Sequence, residues 1–363
     1  MLKQKTDIPR TEGIKYAGSK AKIIPYILST IDEITIKSVL DGFSGTTRVS
    51  QAFAQVGLDV TSSDLAPWSE VFGKTYLLNR KSPDYFQKII DELNSLPGKD
   101  GWFTEHYGGD HKLSSKKPFQ KKNTRKLDSI RERIDLLDLS PTDKAVILTS
   151  LIRALDSVDS TIGHYAAYLR EWSKRSYNDL YLKVPSLLKT PGDHKVIRDD
   201  IFNVLEGSRE YDLAYFDPPY GSNNEKMPPS RVRYSAYYHI WSTVVLNDKP
   251  ETFGKAGRRE DSRDAVAGSV FEEFRKDKDG DYIAMKAIQK MIELTKAKYL
   301  LLSYSSGGRA TKSQLLSSIS NAGNLVKFTE IDHKKNVMAT MRWTDEWVSK
   351  DDTNKEYLFL LKK

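Results

Sequence analysis

Apolar positions along this chain change period several times, and each change marks the start of a new element. Ile23, Ile24, Ile27, Leu28 and Ile31 recur at helical spacing directly after Lys15-Tyr16-Ala17-Gly18-Ser19-Lys20. Ser38-Val39-Leu40 reads as a short buried strand that runs into Asp41-Gly42-Phe43-Ser44-Gly45-Thr46. Val49, Phe53 and Val56 then continue as a helix up to Gly57, and residues 58–64 read as a second strand ending in an acid. From about Phe72 to Lys195 this alternation is interrupted by helical patterns, among them a long periodicity over residues 145–172. It resumes at Lys195 and reaches Leu213-Ala214-Tyr215-Phe216, an apolar run that ends at Asp217-Pro218-Pro219-Tyr220. Residues 282–294 read as a helix, 298–304 as a buried strand, and 326–331 and 357–361 as closing strands. Strands alternating with helices and split by an insertion predict an α/β fold.

The stretch with the most chemistry is the one that ends the apolar run. Open α/β sheets bind ligands at the carboxyl ends of their strands, where Asp217 falls. Pro218 and Pro219 lack an N–H, so this turn presents carbonyl oxygens and a carboxylate with no competing donor. Such a site suits an exocyclic amine, and Tyr220 offers a face on which the ring bearing it can stack. A stiff loop after a strand is the plain alternative.

The glycine turn at 41–46 is not the Gly-x-Gly-x-x-Gly of dinucleotide binders. Asp41 beside it repels phosphate and attracts an ammonium group. Asp64 ends the next strand at the place where α/β units hold a ribose diol. Gly18, Ser19 and Lys20 precede a helix start and form a modest anion site of carboxylate size. Together these describe a pocket for a nucleoside that bears an amino-acid zwitterion, the shape of S-adenosylmethionine. Asp200 with Ile201, at the end of another strand, can hold an adenine ring, although Asp199 or Asp200 can equally cap a helix.

Composition adds a polyanionic partner to this picture. The chain has 363 residues, 57 Lys and Arg against 49 Asp and Glu, and a formal net charge of +8. A basic run over 112–133 contains Lys121, Lys122, Arg125 and Arg131, and reads either as a solvated face or as an inserted module whose cations neutralise phosphates. Arg233 and Tyr234 open a block dense in rings and cations that extends to Trp241. The absence of cysteine excludes disulfides, thiolate metal sites and cysteine nucleophiles. His106 and His111 have no third ligand nearby, so no metal is expected. No apolar run reaches the roughly 18 residues that span a bilayer, which points to a cytoplasmic protein with no membrane partner.

The blocks Lys15-Tyr16-Ala17-Gly18-Ser19-Lys20, Asp41-Gly42-Phe43-Ser44-Gly45 and Asp217-Pro218-Pro219-Tyr220, in that order and around a long insertion, resemble the Dam-like (alpha-order) N6-adenine-specific DNA methyltransferases. Within that class they are most similar to FokI-type modification methylase domains. The resemblance extends through residues 161–169, 234–241, 248–250 and 301–304. It implies a Rossmann-like S-adenosylmethionine-dependent methyltransferase fold, with residues 1–95 and 195–363 as the catalytic domain and 96–194 as a mostly helical inserted target-recognition region. It also implies that Tyr16 and Lys20 contact the methyl donor, Lys20 near its carboxylate. Asp41, Phe43 and Gly45 line the methionine end, Asp64 the ribose, and Asp200 and Ile201 the adenine. Asp217, Pro218, Pro219 and Tyr220 form the catalytic turn, and Lys121, Lys122, Arg125, Arg233 and Tyr234 are DNA-binding candidates. The implied partners are double-stranded DNA and a cognate restriction endonuclease. Tyr16 stands where some relatives carry tryptophan, and the segment from 221 to 231 is longer than the family's usual link.

Two other readings fit the same acceptor turn. It suits an RNA adenine or the amide of a protein side chain, and the chain is also compatible with a DNA-binding subunit that has lost catalysis.

Overall fold

The computed structural model describes residues 8–110, 117–167, 169, 171–207, 209–221, 233–263, 268–273, 275–334 and 353–363. His111, Lys116 and most of the 221–231 segment lie outside them. Its centre is a seven-stranded sheet of β1 (Ser38–Asp41), β2 (Asp59–Ser63), β3 (Lys195–Ile197), β4 (Tyr211–Phe216), β5 (Ala297–Ser305), β6 (Asn324–Lys334) and β7 (Thr353–Lys362). Their order across the sheet is 3-2-1-4-5-7-6. The pairings of β1 with β2 and β4, of β2 with β3 and of β4 with β5 are parallel, whereas β7 runs antiparallel to both β5 and β6. The antiparallel strand wedged between β5 and β6 separates this order from the 3-2-1-4-5-6 of dinucleotide-binding sheets.

Alternation along the central strands explains why both faces are covered. In β4, Leu213 and Tyr215 point into one core while Ala214 and Phe216 point into the other. The first core packs α1 (Ile24–Ile31) and α2 (Arg48–Gln55) through Ile27, Ile31, Val49 and Phe53. The second packs α8 (Ile201–Gly207), α11 (Ile283–Leu294) and α12 (Lys312–Ala322) through Val204, Ile288, Met291 and Leu315. Thr311 and Gln314 close a capping box that fixes where α12 begins.

A third core belongs to the helices between the two halves of the sheet: α3 (Pro67–Gly73), α4 (Pro83–Ser95), α5 (Trp102–Tyr107), α6 (Lys121–Leu136) and α7 (Pro141–Val158). It also takes in Tyr238 and Trp241 of α9 (Tyr234–Tyr237) and α10 (His239–Leu246) and their link, so its packing crosses both ends of the 96–194 segment. Prolines in the first turns of α3, α4 and α7 set those helix starts, because the missing N–H has no intrahelical partner there.

Two features depart from the sequence pattern. Helical periodicity predicts continuation toward residue 172, yet α7 stops at Val158 and Asp159 leaves it in an extended conformation. The Asp159 side chain is fully buried and collects Lys15 Nζ and Arg175 Nε, each at 2.7 Å, together with the Thr161 hydroxyl. That network holds the following segment as a loop. The basic run is likewise not uniform. Arg131 is buried and donates to the carbonyls of Val244 and Val245 at the end of α10, while Lys126 donates to those of Asn94 and Leu96 at the end of α4. Both cations serve as helix C-caps.

Candidate active site

The strand order reverses between β1 and β4, so the carboxyl ends of these two neighbours open a crevice. Asp41 is paired in register with Tyr215, which places Asp217 just beyond the same edge. Asp41 is 1% exposed. Its Oδ2 accepts from the Ser50 hydroxyl at 2.5 Å, and its Oδ1 is buried without a hydrogen-bond partner. Burial pushes its carboxyl up to about 7, against the Ser50 hydrogen bond and with help from Asp217 and Asp64. An anion poised to neutralise, with one bare oxygen, calls for a cationic donor.

The turn after Asp41 is held open by backbone contacts. Gly42 donates to the Tyr215 carbonyl, and a side chain at Gly42 would strike the Phe216 ring at 2.5 Å and Ile201 at 2.9 Å. Gly45 has φ +48°, a left-handed conformation suited to glycine. Its N–H is held by Asp64 Oδ2 at 2.8 Å, while Asp64 Oδ1 accepts from Ala66 N. Asp64 thus braces the glycine turn from behind, and each of its oxygens keeps a second lone pair.

The acceptor turn lies across the cleft. Lys20 Nζ is 2.9 Å from Asp217 Oδ1, 2.9 Å from Glu356 Oε1 and 3.3 Å from the Tyr220 hydroxyl. Burial raises the Asp217 carboxyl, Lys20 opposes the shift and Glu356 adds to it, leaving it raised. Burial also works against the Lys20 ammonium, but Asp217 and Glu356 more than offset it and hold it charged. Tyr220 packs edge-on against Tyr304 with ring centroids 5.3 Å apart, and its carbonyl accepts from Arg309 N. The ring is therefore fixed as a wall.

An aromatic cluster completes the enclosure. Tyr16 stacks on Tyr238 at 4.7 Å and lies within 5.6 Å of both Tyr234 and Trp68, and the Tyr238 hydroxyl accepts from Ala17 N at 2.6 Å. Tyr16, Lys20, Asp41, Phe43, Gly45, Tyr215 and Asp217 line one narrow cleft with a cavity volume of about 30 Å³. A more open hollow at the opposite ends of the strands, lined by Glu33, Glu210, Lys298 and Lys363, carries none of this chemistry.

The remaining sequence candidates fall outside that lining. Asp200 is exposed and its Oδ1 accepts from Phe202 N, so it caps α8. Ile201 is buried under Gly42. Tyr234 sits beside Gly18 as part of the wall, and Arg233 is 5% exposed with Nε and Nη1 lacking partners. Lys121 and Arg125 pair with Asp100, and Lys122 with Asp179, on the outer side of α6. Sequence reasoning missed Glu356 and Tyr238. The first is a lone acid opening an apolar strand, on the same face as Leu358 and Leu360, and the second lies in the ring-rich block. Among the described residues there is no cluster of three or more metal-ligating side chains, and no helix long and apolar enough to cross a membrane.

Residues 16–279 match the model of the D12 class N6 adenine-specific DNA methyltransferases, and the chain belongs to that family. Modification methylase StsI of Streptococcus sanguinis is 26% identical over 374 residues, covering 96% of this chain and 52% of that protein. Type II methyltransferase M.NlaIII of Neisseria lactamica is 28% identical, covering 74% and 82%. Type II methyltransferase M.FokI of Planomicrobium okeanokoites is 25% identical, covering 85% and 47%. The chain therefore spans about half the length of the first and third of these relatives.

Proposed function

We propose that this chain moves a methyl group from S-adenosylmethionine to the exocyclic N6 amine of an adenine flipped out of double-stranded DNA, as the modification component of a restriction-modification system. Family membership supports the reaction class. The observation that carries the reading is the shared cleft, in which Asp217 at the end of β4 stands beside the bare Oδ1 of Asp41 at the end of β1. A buried carboxylate oxygen without a partner fits the ammonium of the donor's amino-acid end. Tyr16, Phe43 and Gly45 would hold the methionine portion, Asp64 the ribose, and Asp200 with Ile201 the adenine ring.

When bound, S-adenosylmethionine supplies an electrophilic methyl carbon, whose bond to sulfur breaks with its electron pair left on sulfur as the amine nitrogen bonds to the carbon. The chain's part is to make that nitrogen reactive. In adenine its lone pair is delocalised into the ring. Asp217 and the Pro218 carbonyl accept its two N–H bonds and favour a pyramidal nitrogen, while Pro219 stiffens the turn. Flipping the base costs roughly a few kcal/mol. Stacking on Tyr220 offsets about 1–3 kcal/mol of this. No covalent enzyme intermediate is needed. The implied setting is the cytoplasm, with DNA and a cognate endonuclease as partners.

The test is incubation with methyl-labelled donor and duplex DNA, RNA or protein. Label is expected in N6-methyladenine of DNA, and Asp217→Ala is expected to abolish it with the fold intact. Label in RNA or protein instead, or normal turnover by Asp217→Ala, overturns the reading.

A further inference from the structure

Lys20 Nζ has three oxygens within 3.3 Å, of which Glu356 Oε1 and the Tyr220 hydroxyl accept its hydrogen bonds, while Asp217 Oδ1 stands at 2.9 Å as an ion-pair partner. Two of them are carboxylates, and the lysine and Glu356 side chains are each no more than 7% exposed. The Glu356 oxygen that meets Lys20 also accepts from the Ser303 hydroxyl at 2.6 Å, so it is pinned to β5. We infer that Glu356 is a positioning residue of the acceptor site, holding Lys20 between two carboxylates and leaving the Asp217–Lys20–Glu356 group with a net negative charge. The inference rests on the reading of Asp217 as the amine acceptor.

The reason is the charge that appears on the substrate. As the amine nitrogen gains a methyl group it becomes cationic, and it then gives up one proton, through the Asp217 carboxylate to water, while keeping the N–H electron pair. A Lys20–Asp217 pair alone is neutral and offers that nitrogen little field. Glu356 restores the missing negative charge and takes a hydrogen bond from the lysine, which leaves Asp217 lone pairs for the amine. The other groups around Asp217 are Asp41 from β1, Tyr215 from β4, Tyr16, Tyr220 and Tyr234. Burial pushes all four tyrosines up, so they stay neutral, and Asp41 is committed to Ser50 and the donor side. Glu356 is then the acid that balances Lys20.

The experiment is Glu356→Gln, assayed for methyl transfer to duplex DNA across pH. The expected result is a kcat about tenfold lower, KM for donor and DNA near the wild-type values, and an acid limb displaced to lower pH, because Asp217 ionises more easily without a negative neighbour. An unmoved limb, or a loss of activity that simply follows a lowered Tm, overturns the inference. A collapse of donor affinity by calorimetry with kcat unchanged also overturns it, since Lys20 and Glu356 then serve the donor carboxylate. Should Glu356→Gln fail to fold, Glu356→Asp keeps the charge on a shorter stem. Its acid limb is expected to stay while kcat falls, and a limb that moves to lower pH overturns the inference. Asp217→Asn separates the two levels: wild-type turnover there removes the acceptor reading itself, whereas lost turnover beside an unmoved Glu356→Gln limb removes only the role of Glu356.

Discussion

The Ser50 hydroxyl donates to Asp41 Oδ2 at 2.5 Å and leaves Oδ1 of the same carboxylate buried and bare. A hydroxyl from α2 thereby fixes the rotamer of an acid on β1 that lines the cleft. Because the Asp41 carboxyl is raised to about 7, chiefly by burial, it is protonated in the folded chain well above its usual range. Without donor, the stability it contributes falls as pH rises from about 4 to about 7, since over that window the unfolded state has released a proton that the folded state still holds. Donor affinity is expected to run the other way and rise with pH through about 7, because an ammonium needs the carboxylate. Asp41→Asn is expected to remove that pH dependence and to weaken donor binding by about 10- to 150-fold, the equivalent of one charge-assisted hydrogen bond. Calorimetric titration of donor across pH checks both.

Gly18 is a second sensitive point. It has φ +77°, and an added Cβ would lie 3.0 Å from the Tyr234 hydroxyl and 3.1 Å from that of Tyr220. Gly18→Ala is expected to cost about 1–2 kcal/mol of stability from the left-handed backbone alone. Tyr220 must also shift, so a drop in kcat larger than the change in donor affinity is expected. Denaturant melts and steady-state kinetics on one preparation separate the two effects.

Cations of α6 divide into two kinds with opposite expectations. Lys121, Lys122 and Arg125 are half-exposed and paired with surface acids, pairs that are typically worth about 0–1 kcal/mol, and Lys122 and Arg125 also donate to the carbonyls of Tyr177 and Gly98. They are free to exchange those acids for phosphates. Replacing all three with alanine is expected to leave the fold intact, weaken DNA binding and lower its salt slope by about 0.9 for each phosphate no longer neutralised. Fluorescence anisotropy with labelled duplex at several salt concentrations reads this directly, and an unchanged slope marks the face as merely solvated.

Arg131 belongs to the same basic run but caps α10 from inside the helical core, and it also pairs with Asp135 at 2.7 Å. Arg131→Leu is expected to destabilise the protein by about 2–4 kcal/mol, since one buried and one part-buried carbonyl lose their donor. Its effect on the salt slope of DNA binding is expected to be nil. Urea unfolding alongside the anisotropy titration tests that separation.

Much of this architecture is legible in the sequence for a simple reason: strand ends carry their chemistry locally. Asp41 and Asp217 each follow an apolar run that places them at the carboxyl edge of a sheet, whereas the strand before Asp64 ends in the polar Thr61-Ser62-Ser63 and its acid is placed by its distance from Asp41. Glycine positions behave similarly, because Gly45 needs a backbone conformation that its neighbours do not. What local pattern does not carry is pairing across the chain. Glu356 and Lys20 are 336 residues apart, and nothing near either one names the other. Charge counts fail in the same way, for Arg131 and Lys126 look like their solvated neighbours until the helix ends they cap are known. The early stop of α7 is also non-local, since Lys15 and Arg175 reach Asp159 from distant segments.

The wedged strand β7 has a consequence for the timing of activity in a newly made chain. It runs antiparallel between β5 and β6 and brings Glu356 to a lysine from the first helical turn, so the buried Asp217–Lys20–Glu356 group is shared by segments synthesised far apart in time. A nascent polypeptide that already holds both the donor acid and the acceptor turn still lacks its balancing charge until that strand slots home. Under the proposed function, sheet closure and the onset of methyl transfer are then a single event.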